Sequence, residues 1–226
     1  MEMDVFLMIK NKKLLYLAFI PFVVSMALNF PYPHERPYGE TLLEIFNIPI
    51  RSANGFQIIG ILSLILLFAS FFLLVRSITK YQGRMVLLAI LIAIFAPSML
   101  ANAYQQTFAD GIYAVSYDHE WSNCRFEMIG ESTLRGECDL PFENYSSHDV
   151  QFTLEFNDSF YFEDDIKMES LLNISGPHTV KLAGHERKVE KVYTEIDVTE
   201  IENHVDSGTS SGVSIVIKSG ENMRRL

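Results

Sequence analysis

Apolar positions follow two rhythms in this chain: long unbroken runs up to about residue 105, then alternation with polar residues to the end. A bilayer core of ~30 Å needs about 20 apolar residues as a helix, because backbone polar groups in lipid must pair internally. Three runs approach that length. Residues 14–30 are apolar apart from Tyr16, Ser25 and Asn29; residues 56–75 carry no charge and only Gln57, Ser63 and Ser70 as polar groups. Residues 85–103 are also uncharged, with Ser98 and Asn102 near their end. A core helix of a small soluble domain shows a polar face, and residues 58–75 show none. The expectation is three transmembrane helices, joined by an outer loop, residues 31–55, and an inner loop, residues 76–84.

Charge sets the direction. Lys10, Lys12 and Lys13 precede the first run, and Arg76, Lys80 and Arg84 fill the short link between the second and third. Basic loops stay in the cytoplasm, so the N-terminus is expected inside and everything after Ala103 outside. The first run also reads as a cleavable signal peptide, basic start and small residues Ser25 and Ala27 included, which leaves this topology unaltered. The Ala101-Asn102-Ala103 triplet after Pro97 echoes a cleavage site as well. Pro21 and Pro97 fall inside their runs and predict kinks. None of the runs holds Asp, Glu, Lys, Arg or His, the usual mark of an ion pathway or transport site. Ala89, Ala93 and Ala96 offer close helix contact. In the outer loop, residues 40–46 predict a short apolar-faced helix suited to the membrane interface or to docking beneath the tail, and His34, Glu35 and Arg36 read as solvated.

From Gly111 the period becomes two. Val150, Phe152, Leu154 and Phe156 alternate with polar residues, as do Val192, Thr194, Ile196 and Val198, and then Val213, Ile215 and Ile217. Further strands are expected over 112–117, 125–129, 133–140, 160–162, 168–174 and 179–182. Turn-rich clusters lie between several of them, which predicts an antiparallel β-sandwich. Residues 207–212 read as a flexible connection and 219–226 as a frayed tail.

The two cysteines can be placed more closely. A hairpin centred on Glu131 pairs Met128 with Leu134, Phe126 with Gly136 and Cys124 with Cys138. Phe126, Met128, Leu134 and both cysteines then share one face. Arg125 falls opposite Glu137, and Glu127 opposite Arg135, on the other. Directly opposed Cβ atoms lie ~4.5–5.5 Å apart, near disulfide reach, so a Cys124–Cys138 disulfide is expected.

The 226 residues carry 18 Lys/Arg and 28 Asp/Glu. Residues 1–105 hold 8 and 5 of these, net +3, so residues 106–226 hold 10 and 23, net −13. That partition excludes a uniform soluble globule and a nucleic-acid binder working through a basic face. Phosphate loops, dinucleotide fingerprints, His-Glu-x-x-His and Gly-x-Ser-x-Gly do not occur, so no cofactor, metal or catalytic residue is assigned. The run Glu163-Asp164-Asp165 with Asp158 offers oxygen ligands for Ca²⁺ but lacks the spacing and central glycine of an EF-hand loop. His119, Glu120 and Trp121 read as packing or interface residues, and Trp121, Tyr104, Tyr113 and Tyr117 as a membrane-edge belt. Asn144, Asn157 and Asn173 each open an Asn-x-Ser triplet, a glycosylation signal only in a eukaryotic secretory route.

Residues 138–156, from Cys138 through Asn144 and the alternating strand to Phe156, resemble the middle strands of bacterial immunoglobulin-like domains anchored at the cell envelope. Residues 180–198 resemble their next paired strands. The whole chain resembles small multi-span membrane proteins of Bacillus-like bacteria with such a C-terminal extracytoplasmic domain. The resemblance covers about 80 residues of a generic fold and transfers no site residue. The fold expected is α + β in separate parts, with a membrane domain over 1–105 and an immunoglobulin-like sandwich over 106–226. The leading functional expectation is a multi-pass cell-membrane protein presenting an acidic domain for recognition or anchoring. Its partners would be the lipid bilayer and a membrane or envelope protein, and not nucleic acid. An accessory subunit of a transporter, enzyme or assembly complex is the alternative, and an extracytoplasmic hydrolase the third reading.

Overall fold

The computed structural model describes residues 9–34, 36–50, 56–158, 167–201 and 203–226. The chain forms two compact units, Met1–Ala103 and Tyr104–Leu226, helical first and strand-rich second, so α and β structure occupy separate parts.

The first unit contains α1 (Lys12–Leu28), the short α2 (Tyr38–Ile45), α3 (Ile58–Ser77) and most of α4 (Gln82–Thr107). Two of these, α3 and α4, are long and apolar enough to cross a membrane; α1 has 17 residues, about 25 Å of helix. Asn11 caps α1, its side-chain oxygen accepting from the amides of Lys13 at 3.0 Å and Leu14 at 3.3 Å. Helices α1 and α3 pack antiparallel along a seam of small residues spaced seven apart: Asn11, Ala18 and Ser25 face Ser77, Ser70 and Ser63. Ser70 Oγ donates to the Ala18 carbonyl at 2.9 Å, and Ser25 Oγ to the Ser63 carbonyl at 3.1 Å. The amides of Lys10 and Asn11 donate to the Ser77 carbonyl at 2.8 and 3.1 Å. Small side chains let the two backbones approach, and the Ser25 and Ser70 hydroxyls are satisfied by the facing helix rather than by water. The expected alanine contacts on α4 are a minor part of this packing: Ala89 touches the small cluster of Ala18, Leu74 and Ile78.

Among the described residues, the second unit holds nine antiparallel strands in two sheets around one core. The strands are β1 (Val115–Tyr117), β2 (Asn123–Met128), β3 (Thr133–Asn144), β4 (Val150–Asn157), β5 (His178–Leu182), β6 (Arg187–Asp197), β7 (Ser207–Ser211), β8 (Ser214–Ser219) and β9 (Asn222–Arg225). Along the first sheet the order is β7, β2, β3, β6, with β1 continuing beside β3 on the β2 edge. The second runs β5, β4, β8, β9. Alternation explains the shared core: Phe126, Leu134, Leu140 and Ile196 from one sheet meet Phe152, Phe156, Leu182 and Ile215 from the other.

Four sequence expectations change here. Residues 168–174 do not form a strand: Glu169–Ser175 is a 3-10 turn, which lets the adjacent Leu171 and Leu172 both enter the core. The segment read as a flexible connection is β7, held by β2 from Asn123 opposite Ser211 to Glu127 opposite Ser207. The tail read as frayed is β9, and the Leu226 amide and carbonyl exchange bonds with Ile215 at 2.8 and 2.9 Å. The first tail strand is shortened by a 3-10 turn at Gly111–Ala114, leaving only Val115–Tyr117 extended. The strand expected over 160–162 lies outside the described residues.

Candidate functional site

Cys124 and Cys138 form a disulfide. They oppose each other in the hairpin register that also pairs Phe126 with Gly136 and Met128 with Leu134. Their Cα atoms are 4.1 Å apart, nearer the ~4.5 Å of a non-hydrogen-bonded antiparallel pair than the ~5.5 Å of a bonded one. Both sulfurs face the core. The opposite, outward face of the same strands is polar and forms the candidate site.

Register builds that face as rows across β7, β2, β3 and β6. Ser211, Asn123, Asp139 and Lys191 make one row; Thr209, Arg125, Glu137 and Tyr193 the next; Ser207, Glu127, Arg135 and Glu195 the third. The first two rows line an open depression of about 510 Å³. Lys191 pairs with Asp139 at 3.3 Å. Arg135 turns to Glu195 on β6 at 3.5 Å rather than to Glu127, the partner that charge matching had suggested. Its guanidinium also lies 5.8 Å from the centre of the Tyr193 ring. The Tyr193 hydroxyl donates to Glu195 Oε1 at 2.6 Å. That bond pushes the phenol above its usual range and holds the Glu195 carboxyl below its own. Arg125 and Glu137 stand opposite each other without an ion pair, so one charge of each sign is open to a ligand. An exposed ring, two unpaired opposite charges and several hydroxyls suit recognition of a polar ligand.

The remaining sequence candidates disperse. Trp121 is 75% exposed. His119 packs on Gly212, whose φ is +70° and where an added Cβ would lie 2.7 Å from the imidazole Cε1, so a side chain has no room there. Tyr117 is no interface residue: it is buried, its hydroxyl donating to the Val213 carbonyl at 2.7 Å. Asn144 donates to the carbonyls of His148 and Ala183 at 2.8 and 2.9 Å, tying two turns together. Asn173 exchanges two 2.8 Å bonds with the Phe156 backbone. Both amides are used by the fold, not presented for modification. Arg36 pairs with Glu44 at 3.5 Å, whereas Glu35 and the Glu163-Asp164-Asp165 run lie outside the described residues. Asp158 accepts from the amides of Met168 at 3.1 Å and Ser170 at 2.9 Å, which pins the 3-10 turn. Among the described residues no three His, Cys, Asp or Glu side chains gather closely enough to hold a metal ion.

Glu169 and Arg224, both buried, escaped the sequence reading. Glu169 bonds Ser210 on β7 and sits beside Asp158, and burial raises its pKa. Arg224 on β9 is fully buried, and its guanidinium donates to the carbonyls of Ile112, Tyr113 and Val115. Neither lies on an alternating apolar pattern that would have marked it as interior.

No family model, curated protein or solved structure matches the chain.

Proposed function

We propose that the chain is a multi-pass protein of the cytoplasmic membrane, in which three spans hold an acidic, immunoglobulin-like β-sandwich on the extracytoplasmic side for recognition or anchoring. The observation that carries this reading is the inverted polarity of the helical unit. Ile65, Phe68 and Phe72 are 60%, 64% and 60% exposed, while Ser25, Ser63, Ser70 and Ser77 are buried. Water would drive the opposite arrangement, since each large apolar side chain left exposed forgoes ~1.5–3 kcal/mol of burial. In lipid the outward apolar surface carries no such penalty, and the Ser25, Ser70 and Ser77 hydroxyls find their partners inside.

Topology has support of its own. The Ile9–Ile78 bridge brings the ends of α1 and α3 together, so the clusters Lys10, Lys12, Lys13 and Arg76, Lys80, Arg84 share one end of the helix pair. Both then lie on the cytoplasmic side, as the basic-loop rule requires. A disulfide in the strand-rich unit suits an oxidising compartment. The polar face around Arg125, Glu137 and Tyr193 is the surface offered to a membrane or envelope partner.

The test uses the full chain in its membrane. Alkaline carbonate should leave it in the pellet, and protease added to intact protoplasts should remove the C-terminal unit. A polypeptide freed by carbonate, or a protected C-terminal unit, would refute the proposal. Crosslinking in cells should trap an envelope or membrane protein, and a combined Arg125→Glu, Tyr193→Ala variant should lose it; an unchanged yield would remove the recognition face from the proposal.

A further inference from the structure

Between the α1–α3 pair and α4, packing leaves two spaces along one seam. At the basic end lies an apolar gap of about 210 Å³, with Leu74 and Leu88 among its walls. Toward the opposite end lies a crevice of about 410 Å³ lined in part by Ser25, Asn29, Ser63, Ala93, Pro97 and Ser98. Its polar groups are unusual for such apolar helices. Ser63 is 4% exposed, and its hydroxyl has no hydrogen-bond partner. Pro97 has no N–H to give the Ala93 carbonyl one turn earlier. Ser25, Asn29 and Ser98 do have partners, at 3.1, 2.8 and 3.1 Å. Among the described residues, no charged side chain lines either space.

We infer that this seam binds a membrane lipid, with an uncharged hydrogen-bonding group such as a glycerol ester or hydroxyl in the Ser63 crevice and an acyl chain running into the apolar gap. The inference rests on the membrane reading above and adds the ligand. Three features select the occupant. A buried hydroxyl without a partner is costly in hydrocarbon, so the occupant supplies hydrogen-bonding atoms there. The absence of lining charge disfavours a phosphate or ammonium at that depth. Polarity falls along the seam from the extracytoplasmic half toward the basic end, the gradient of an outer-leaflet lipid from its ester region into its chain.

The full chain is reconstituted in vesicles of phosphatidylethanolamine and phosphatidylglycerol, with a fraction of the phosphatidylglycerol carrying a diazirine on its acyl chain. After irradiation, label should concentrate on peptides of α1 and α4 that line the seam. Ala93→Leu, which fills the crevice from α4 without touching the α1–α3 bonds, should abolish most of that label. Ser63→Ala, which removes only the unpartnered hydroxyl, should reduce it about fivefold, the effect of one neutral hydrogen bond, and serves if the larger residue disturbs folding. Leu100→Ala, outside the seam, should change nothing. Label spread evenly over outward positions such as Ile65 and Phe68 and indifferent to both variants would overturn the inference. So would capture of a neighbouring protein's helix by a photoreactive residue at position 93. Carbonate extraction of the same vesicles separates the two failures: a retained chain without seam labelling refutes the lipid site alone, and a released chain removes the membrane reading with it.

Discussion

Arg224 offers the sharpest quantitative test of how the β unit is held together. The side chain is among the largest fully buried ones in the protein. Its Nη1 donates to the Val115 carbonyl and, at 3.4 and 3.5 Å, to those of Ile112 and Tyr113. Replacing it with methionine keeps most of the apolar stem and removes the donors. A charge-assisted bond contributes ~1.5–3 kcal/mol, and buried carbonyls left without it add their own desolvation penalty. Val115 retains one compensating partner, Gln105 Nε2 at 2.7 Å, and removing a buried charge recovers part of its own desolvation cost. The net expectation for Arg224→Met is a loss of about 3 kcal/mol. Against a total of ~5–15 kcal/mol, that is a large fraction of the stability of a unit this size. Amide exchange of the full chain in detergent reads it directly: protection in β8, where Ile215 pairs with Leu226, should fall by about two orders of magnitude. Met223→Ala, at the preceding and partly exposed position, supplies the control and should shift protection by less than about threefold. If Arg224→Met behaves like that control, the guanidinium does not clamp the turn at Gly111–Ala114, and the buried-network reasoning fails.

Removing the disulfide with Cys124→Ala and Cys138→Ala should destabilise the unit by ~3 kcal/mol, the entropy of closing a 15-residue loop, and lower Tm by about 10 °C in a thermal scan. Gly136→Val places a Cβ 2.6 Å from Leu172 Cδ2 and should cost ~1–3 kcal/mol by overpacking, measured in the same scan. Glu169 binds its proton more tightly folded than unfolded, so its contribution is fully present below the ordinary carboxylate range and is lost as pH rises through the raised value. Glu169→Gln, which still accepts from Ser210, should therefore gain stability relative to the wild type on going from about pH 4 to about pH 8, and a pH-independent difference in Tm would refute the assignment.

Strong periodicity carried the elements that were legible in the sequence. Uninterrupted apolar runs marked α3 and α4, and the double match of cysteines and charges around Glu131 placed the β2–β3 register to the residue. Strand β7 was invisible because Ser-Gly-Thr-Ser-Ser has no apolar alternation: its inward positions, Gly208 and Ser210, are small so that Met168 and Glu169 can pack against them. The last strand was missed for a similar reason, since its inward residue is an arginine satisfied by backbone carbonyls. Residues 168–174 have the composition of a strand, yet the caps from Asp158 and the burial of two consecutive leucines select a tight helical turn. At the candidate site, β2 and β3 were foreseen as neighbours, but that Lys191 and Tyr193 of β6 complete the depression depends on a pairing some 55 residues away, which only the tertiary fold determines.

The seven-residue spacing of small side chains in α1 and α3 makes their alignment degenerate. Sliding α1 by one repeat, about 10 Å along the axis, would set Ser25 against Ser70 and Ala18 against Ser77, an equally smooth contact. The small-residue seam by itself therefore offers two positions that differ by a whole notch. The ends discriminate between them: the Ser77 carbonyl is claimed by Lys10 and Asn11, and at the other end Gly39 is seated on Ile59. Those few terminal contacts act as detents on an otherwise uniform rail, and lesions there should yield misaligned helix pairs rather than unfolded ones.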